Sequence, residues 1–256
     1  MDAYTNPLKR KLVAGETALG FWVSLESPSI TEIAATLGFD WVLIDAEHGQ
    51  LEYKEIIEHL RAARGSQTAV LVRITEIQPG IIKRVLDLGA DGIMVPQVNT
   101  PEEAALAVRL AKYPPQGIRG LGGERATRWG LNKTEYLSTA NRETLVIPMM
   151  ETPESAANIE QIAAVPGIDA VYFGPGDFSS FSGYLGQWEG PGVAEQLLAV
   201  KEKLLARHIP CGIAGTDLAD AKRRVEQGFR MISIGSDTGA LIAAMKAGLQ
   251  AFGRSS

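Results

Sequence analysis

Short apolar runs punctuate this chain, set between longer stretches in which apolar residues recur at helical spacing. Four times a helical pattern ends on glycine and an apolar run follows: Leu37-Gly38-Phe39-Asp40-Trp41, Leu88-Gly89-Ala90-Asp91-Gly92, Pro166-Gly167-Ile168-Asp169-Ala170 and Gln227-Gly228-Phe229-Arg230-Met231. Glycine just past a helix takes the left-handed conformation without a Cβ penalty, so each phrase marks a helix-to-strand junction. The strands predicted to follow cover residues 41–44, 92–95, 170–173 and 231–234, near-continuous apolar runs of the kind parallel strands show when both faces are buried. Four more such runs lie between them, at 19–25, 69–72, 145–149 and 211–214. Eight strands alternating with helices predict an α/β fold, a (β/α)8 TIM barrel occupying residues 1–256 as one domain.

Helix starts agree. Ser27-Pro28, Thr100-Pro101 and Thr152-Pro153 each place an N-cap residue before a proline at the first helical position, and Thr100 with Glu103 spells a capping box. A doubly wound open sheet is the competing architecture, but it usually carries a glycine-rich turn after its first strand and none follows Leu25. Two stretches exceed what a short connection needs, Tyr113 to Asn141 between strands four and five and Gly174 to Pro191 after strand six. Loops that follow strands build the active-site face of a barrel, so both are expected to cover a substrate site.

Composition narrows the function classes. With 25 Lys plus Arg against 30 Asp plus Glu, the net charge is −5 and the signs are interleaved, which excludes a generic basic nucleic-acid surface and argues against a polybasic membrane anchor. Hydrophobic residues at 45% against 21% charged describe a globular chain with a large core and exclude disorder. The first fifteen residues lack an apolar signal core and no apolar run approaches the roughly 20 residues of a membrane span, so a soluble, unsecreted protein is expected. The single cysteine, Cys211, cannot form an intrachain disulfide or a cysteine-based zinc site; it reads as a buried strand thiol in a reducing cytoplasm.

Polar residues collect where predicted strands end. Asp45-Ala46-Glu47-His48-Gly49 follows strand two, Arg73 strand three, Glu151 strand five and Gly174-Pro175-Gly176-Asp177 strand six, all at the catalytic end of a barrel. Glu151 and Asp177 suit a hard divalent ion, Mg²⁺, Mn²⁺ or Co²⁺, which one or two carboxylates commonly hold, with waters and substrate oxygens completing the shell. Glu151 alone also reads as a charge favoured by the helix beginning at Pro153. A guanidinium closing an apolar strand needs an anionic partner, so Arg73 meets either a substrate carboxylate or enolate, or a salt-bridge partner in Glu151 or Asp45. His48, three residues past Asp45, reads as a base oriented by that carboxylate or as a histidine hydrogen-bonded in a turn. Trp22 and Ile213 are taken as further substrate-binding residues of this mouth. His59 and His208 are assigned to surface or helix-end chemistry. No lysine falls at a catalytic strand end, which argues against a Schiff base and leaves enolate stabilisation to a metal.

At this constellation the chain resembles the HpcH/HpaI aldolases, metal-dependent class II pyruvate aldolases. The carriers are Asp45-x-Glu47-His48, Arg73, Leu86-Asp87-x-Gly89-Ala90, Val95-Pro96, Tyr113-Pro114-Pro115-x-Gly117-x-Arg119-Gly120, Glu151-Thr152 and Gly174-Pro175-Gly176-Asp177, spread over nearly the whole chain. The resemblance implies that Glu151 and Asp177 ligate the metal, that Arg73 contacts the keto oxygen of a 2-oxoacid, and that His48 with Asp45 handles protons. It also implies that the amides around Gly176 and Asp177 receive the substrate carboxylate, that Asp87 serves the site of a neighbouring subunit, and that the last helix, residues 238–252, packs on a neighbouring barrel in a homohexamer. The implied reaction cleaves 4-hydroxy-2-oxoacids reversibly to pyruvate, or a related 2-oxoacid, and an aldehyde.

Three features depart from the family pattern: Met149 where many members carry Gln, the run Gly120-Leu121-Gly122-Gly123-Glu124, and the bulky Tyr184 and Trp188 after strand six. They bear on substrate choice more than on the chemistry. Three other readings share the barrel: an acyl-CoA carbon–carbon lyase of the citrate lyase and malyl-CoA lyase type, a phosphoryl-transfer enzyme using Arg119, Arg125 and Arg128 for phosphate, and a non-catalytic binding barrel.

Overall fold

In the computed structural model of the protein, the four glycine-ended junctions fall where the pattern places them. Gly38, Gly89, Gly167 and Gly228 all have positive φ, between 84° and 102°. The structure describes residues 4–187 and 190–254; Trp188 lies outside the described residues. The strands are β1 Ala18–Val23, β2 Trp41–Asp45, β3 Ala69–Arg73, β4 Gly92–Val95, β5 Leu145–Met150, β6 Val171–Phe173, β7 Cys211–Ala214 and β8 Met231–Ser236. They pair in parallel in sequence order and β1 closes on β8, forming the closed eight-stranded barrel that the alternation predicts. The helices are α1 Pro7–Val13, α2 Pro28–Leu37, α3 Tyr53–Ala62, α4 Pro79–Asp87, α5 Pro101–Ala111, α6 Lys133–Glu143, α7 Pro153–Ala157, α8 Ile159–Ala163, α9 Pro175–Phe181, α10 Val193–Leu205, α11 Leu218–Glu226 and α12 Asp237–Ala251. None is long and apolar enough to cross a membrane.

Side-chain alternation along each strand divides the apolar residues between two cores. Trp41 and Leu43 of β2, Ala69 and Leu71 of β3, Ile147 and Met149 of β5 and Tyr172 of β6 point into the barrel and pack together. Their neighbours Val42, Ile44, Val70, Val72 and Val146 point outward onto the helices. Leu8 and Leu12 of α1 join the interior cluster and close the barrel's N-terminal end.

The long segment between β4 and β5 lies at the end opposite the one expected. Helix α5 follows β4 directly, so residues 113–141 come after the descending helix and belong to the N-terminal face, away from the mouth. Asn141 clasps the segment by accepting from the Tyr113 amide at 2.7 Å and donating to the Tyr113 carbonyl at 2.9 Å. The stretch after β6 does follow a strand, and its first part is helix α9.

Helix caps are mixed. Thr100 and Glu103 form the expected capping box, and Thr152 accepts from the Ser155 amide, whereas Ser27 makes no side-chain cap bond. His59, assigned to surface or helix-end chemistry, lies in the last turn of α3 and is wholly buried, with Nδ1 2.7 Å from Thr31 Oγ1. Cys211 is the buried strand thiol expected, and burial pushes its pKa up to about 12.

Candidate active site

The inward register of the barrel interior continues into the charged residues at the mouth. On β2 the inward series Trp41, Leu43 ends at Asp45; on β3 Ala69, Leu71 ends at Arg73, and Asp45 and Arg73 are register partners. On β5 the series Ile147, Met149 is followed by Glu151. The site is therefore the top layer of the interior stack, formed where alternation delivers charged residues at the catalytic end of the strands.

Arg73 is held as a fork. Its Nε donates to Asp45 Oδ1 at 2.9 Å, Nη2 to Asp45 Oδ2 at 2.6 Å, and Nη1 lies 2.9 Å from Glu47 Oε2 in an ion pair. Trp22 covers it: the guanidinium carbon is 4.9 Å from the ring centroid, and Trp22 Nε1 donates to Asp45 Oδ2 at 3.1 Å. Burial works to raise the Asp45 pKa, but the hydrogen bonds and charge of Arg73, with help from Trp22 and the His48 amide, hold it below the usual range. Of the two partners left open by sequence, Arg73 takes Asp45, and the further partner is Glu47, whose part sequence reasoning missed. Glu47 stands in the quoted Asp-x-Glu-His motif, so its position carried the signal.

Asp45 does not orient His48. The carboxylate accepts the backbone amides of Glu47 and His48 at 3.1 and 3.2 Å, while the His48 side chain is 69% exposed with Nε2 4.0 Å from Glu47 Oε2. The bidentate Arg73 outcompetes an imidazole for Asp45 because two charge-assisted bonds in a rigid fork are stronger than one.

Glu151 is 2% exposed, and its Oε2 accepts from the backbone amide of Gln97 at 2.8 Å. Gln97 makes that contact in the left-handed region, φ 49°, immediately after the Val95-Pro96 pair, a second contributor that sequence reasoning missed. The other oxygen faces Gly174, where a Cβ would come within 2.7 Å of Oε1 and 2.6 Å of Cγ, so only glycine fits there. Burial, and the negative charges of Asp177 and Glu47, push the Glu151 carboxyl up to about 7. Asp177 is half-buried in the first turn of α9, where the helix dipole favours its charge. Among the described residues no group of three or more His, Cys, Asp or Glu is placed to hold a metal ion.

Two further site residues lie elsewhere. Ile213 of β7, expected as a substrate-binding residue, points outward and packs with Phe173, Phe178 and Phe229 between barrel and helices, so it is not a wall of the mouth. Asp87 ends α4 at the N-terminal face and pairs with buried Arg119 at 2.8 Å.

The model of the HpcH/HpaI aldolase/citrate lyase family matches residues 18–244. The chain belongs to this family. The 5-keto-4-deoxy-D-glucarate aldolase of Salmonella paratyphi A is 36% identical over 241 residues, 94% of each chain. Among solved structures, an HpcH/HpaI aldolase/citrate lyase family protein from Burkholderia cenocepacia J2315 superposes with a TM-score of 0.93 at 35% identity, covering 98% of this chain and 100% of that one. The HpcH/HpaI aldolase from Desulfitobacterium hafniense DCB-2 gives 0.90 at 35% identity, with 96% of each chain covered. Membership makes the protein a carbon–carbon lyase of a class II, metal-dependent aldolase family that cleaves hydroxy-ketoacids to pyruvate.

Proposed function

We propose that this chain cleaves 4-hydroxy-2-oxoacids to pyruvate and an aldehyde, and runs the reverse addition, with Glu151 and Asp177 holding a divalent cation, Mg²⁺, Mn²⁺ or Co²⁺. The observation that carries the reading is the charge imbalance of the mouth. Asp45, Glu47 and Glu151 share one arginine, Asp177 adds its charge to that of Glu47 and Glu151, and Glu151 is pushed up to about 7 by burial and by its acidic neighbours. A hard cation between Glu151 and Asp177 relieves that imbalance, and carboxylate oxygens are the donors such ions prefer. When bound, the ion supplies Lewis-acid stabilisation of the oxygen on which enolate charge develops.

The chain's own residues do the rest. Two of Arg73's five N–H groups donate to Asp45, while the contact of Nη1 with Glu47 is an ion pair without a hydrogen bond, so N–H groups on both Nη remain for a substrate oxygen. Asp45 and Trp22 fix the fork so that it meets the growing oxyanion without rearranging. His48, exposed at the rim beside Glu47, is placed to carry protons between solvent and the substrate. The amides of Gly176 and Asp177, in the first turn of α9, receive the 2-oxoacid carboxylate. A panel of aldehydes incubated with pyruvate, with and without Mn²⁺, tests the reading, with 5-keto-4-deoxy-D-glucarate as the first cleavage substrate. No product with any aldehyde at saturating metal overturns it, as does full activity after exhaustive chelation.

Assembly as a homo-oligomer, a hexamer by resemblance, is part of the proposal. Helix α12 leaves the barrel after Asp237, whose carboxylate accepts from the Ser24 and Leu25 amides at 2.9 and 2.8 Å, and beyond this anchor it is exposed on every side. Leu241, Ile242, Met245, Leu249 and Phe252 are 41–87% exposed, a run of apolar side chains that a neighbouring barrel would cover. In such an assembly Asp87 of one subunit serves the mouth of the next. Sedimentation showing an active monomer at micromolar concentration rejects this part. A cytoplasmic location is supported by the single buried thiol.

A further inference from the structure

The arginines that sequence suggested for phosphate do not reach the mouth: Arg119 pairs with Asp87, and Arg125 and Arg128 border a cavity beside the N-terminal end of β3. A buried carboxylate that the proposed chemistry does not use stands at the mouth end instead. Asp237, the first residue of α12, is 3% exposed. Its Oδ2 accepts the Ser24 and Leu25 amides at 2.9 and 2.8 Å, and its Oδ1 accepts the Ser24 hydroxyl at 3.0 Å and the Thr238 amide at 2.7 Å. Burying a carboxylate is costly unless donors replace its water, and these four do so. All but the Thr238 amide come from the connection between β1 and α2, so the start of the last helix holds the first loop of the mouth.

That loop in turn holds the next one. Ser24 gives its amide and hydroxyl to Asp237, and its carbonyl accepts the Gln50 amide at 3.2 Å. Between His48 and Gln50 stands Gly49, where a Cβ would come within 2.1 Å of the Asp45 carbonyl oxygen and 3.2 Å of that of Ser24. Only glycine lets the segment after β2 press this closely against the Ser24 backbone. On its other side the segment is fixed by the His48 amide, which donates to Asp45 Oδ1 at 3.2 Å. The imidazole itself is 69% exposed and stands 4.0 Å from Glu47 Oε2. Where it stands over the mouth is therefore set by its main chain rather than by a partner of its ring.

We infer that Asp237 is a positioning residue for His48, acting through the backbone of Ser24 and the Gln50 amide. A side chain that moves protons works only while its support keeps it within reach of the reacting atoms, and here part of that support comes from the far end of the chain. The inference rests on the reading of His48 as the proton carrier, whereas the mechanical link from Asp237 to residues 48–50 stands on the hydrogen bonds alone.

Asp237→Asn tests both parts, because the amide turns an NH2 group toward donors that need an acceptor. Hydrogen exchange of the full chain, followed by mass spectrometry, should show the Gln50 amide exchanging roughly tenfold faster, with the β3 segment 69–73 as protected as in the wild type. Deuterium exchange at C3 of pyruvate with Mn²⁺ present should fall roughly tenfold in kcat, with KM within about twofold. In a His48→Asn background the same substitution should change kcat by less than about twofold, because the residue it positions is already gone. Ser24→Ala removes one bond of the set and should repeat the pattern at about fivefold or less, which decides the matter if Asp237→Asn does not fold. Unchanged exchange at Gln50, equal loosening of β3, a rise in KM alone, or an equal loss of kcat with and without His48 each overturn the inference. A wild type that exchanges no deuterium into pyruvate defeats the aldolase reading instead, and the Gln50 amide then decides the link by itself.

Discussion

At the mouth of the barrel the inward positions that complete β2, β3 and β5 are Asp45, Arg73 and Glu151; at the other end the first inward residues of the same strands are Trp41, Ala69 and Leu145. One alternation thus makes a desolvated charge cluster at one pole and a dry plug at the other. The polar groups at the N-terminal end serve closure. Asn6, wholly buried, donates to the carbonyls of Asp91 and Glu143 at 2.9 and 3.1 Å, and Leu8 and Leu12 seal the interior beside it. The difference teaches that polarity alone does not mark a site. At the mouth the charges crowd and shift one another's proton affinities, while at the base polar groups are settled one by one, Asn6 on backbone carbonyls, Asp87 on Arg119 and Lys9 on Asp169.

If the mouth carries chemistry and the base carries stability, substitutions at the two ends should separate cleanly. The largest effects are expected at Arg73. Arg73→Lys keeps the charge but not the fork and should lower kcat for deuterium exchange at C3 of pyruvate on the order of 10²-fold, with little change in melting temperature. Arg73→Ala strands Asp45 and Glu47 and should cost about 3–5 kcal/mol in denaturant melts. Near-wild-type exchange by the Lys variant would move Arg73 from the chemistry of the mouth to its scaffolding.

Next in size is a pH effect on the metal-free protein. A carboxyl at about 7 in the folded state keeps its proton where an ordinary glutamate, at 4.5, has lost it, so stability falls as pH rises from about 4.5 to 7. The loss should be on the order of 2–3 kcal/mol. Glu47, also raised, acts in the same direction, so the comparison with Glu151→Gln isolates the residue. That variant should lose most of the slope and exceed the wild type in stability above pH 7 with chelator present. Parallel pH profiles would show that Glu151 is not strained by its neighbours.

At the base, Asn6→Ala should cost about 2 kcal/mol by leaving buried carbonyls unpaired and removing the cap of α1, with kcat unchanged. A fall in kcat there, at constant stability, would erase the separation of the ends. The smallest effect sharpens it from the other side. Thr100 starts α5 at the mouth end but only caps it, and Thr100→Ala should cost about 1 kcal/mol with unaltered kinetics.

The strands were legible because their cues are local. Glycine stops and continuous apolar runs place each predicted strand within two residues of its observed bounds, β1 ending at Val23 short of Leu25 and β8 running on to Ser236 past Ile234 being the widest misses. That Asp45, Arg73, Glu151 and Asp177 share one end also follows from topology, since parallel strands send all their C-termini to the same face. The misreadings share a cause. Ile213 was expected in the substrate site, and an apolar strand buried on both faces offers no polar contrast by which sequence could have placed it outward. Residues 113–141 were assigned to the mouth because glycine and aromatic content identify a loop without saying whether it precedes or follows its helix.

What the sequence by itself determined is the number and order of the elements, the pole at which acidic and basic residues gather, and the family. These rest on backbone stereochemistry and on period, which neighbours along the chain dictate. What only the tertiary structure decided is who meets whom: that Arg73 takes Asp45 and Glu47 and leaves His48 at the rim, that Gln97 reaches Glu151 from the turn after β4, and that Arg61, Arg64 and Arg125 border one cavity at the base. Those pairings are contests among groups far apart in sequence. Their outcome depends on distances and desolvation that exist only once the barrel has closed.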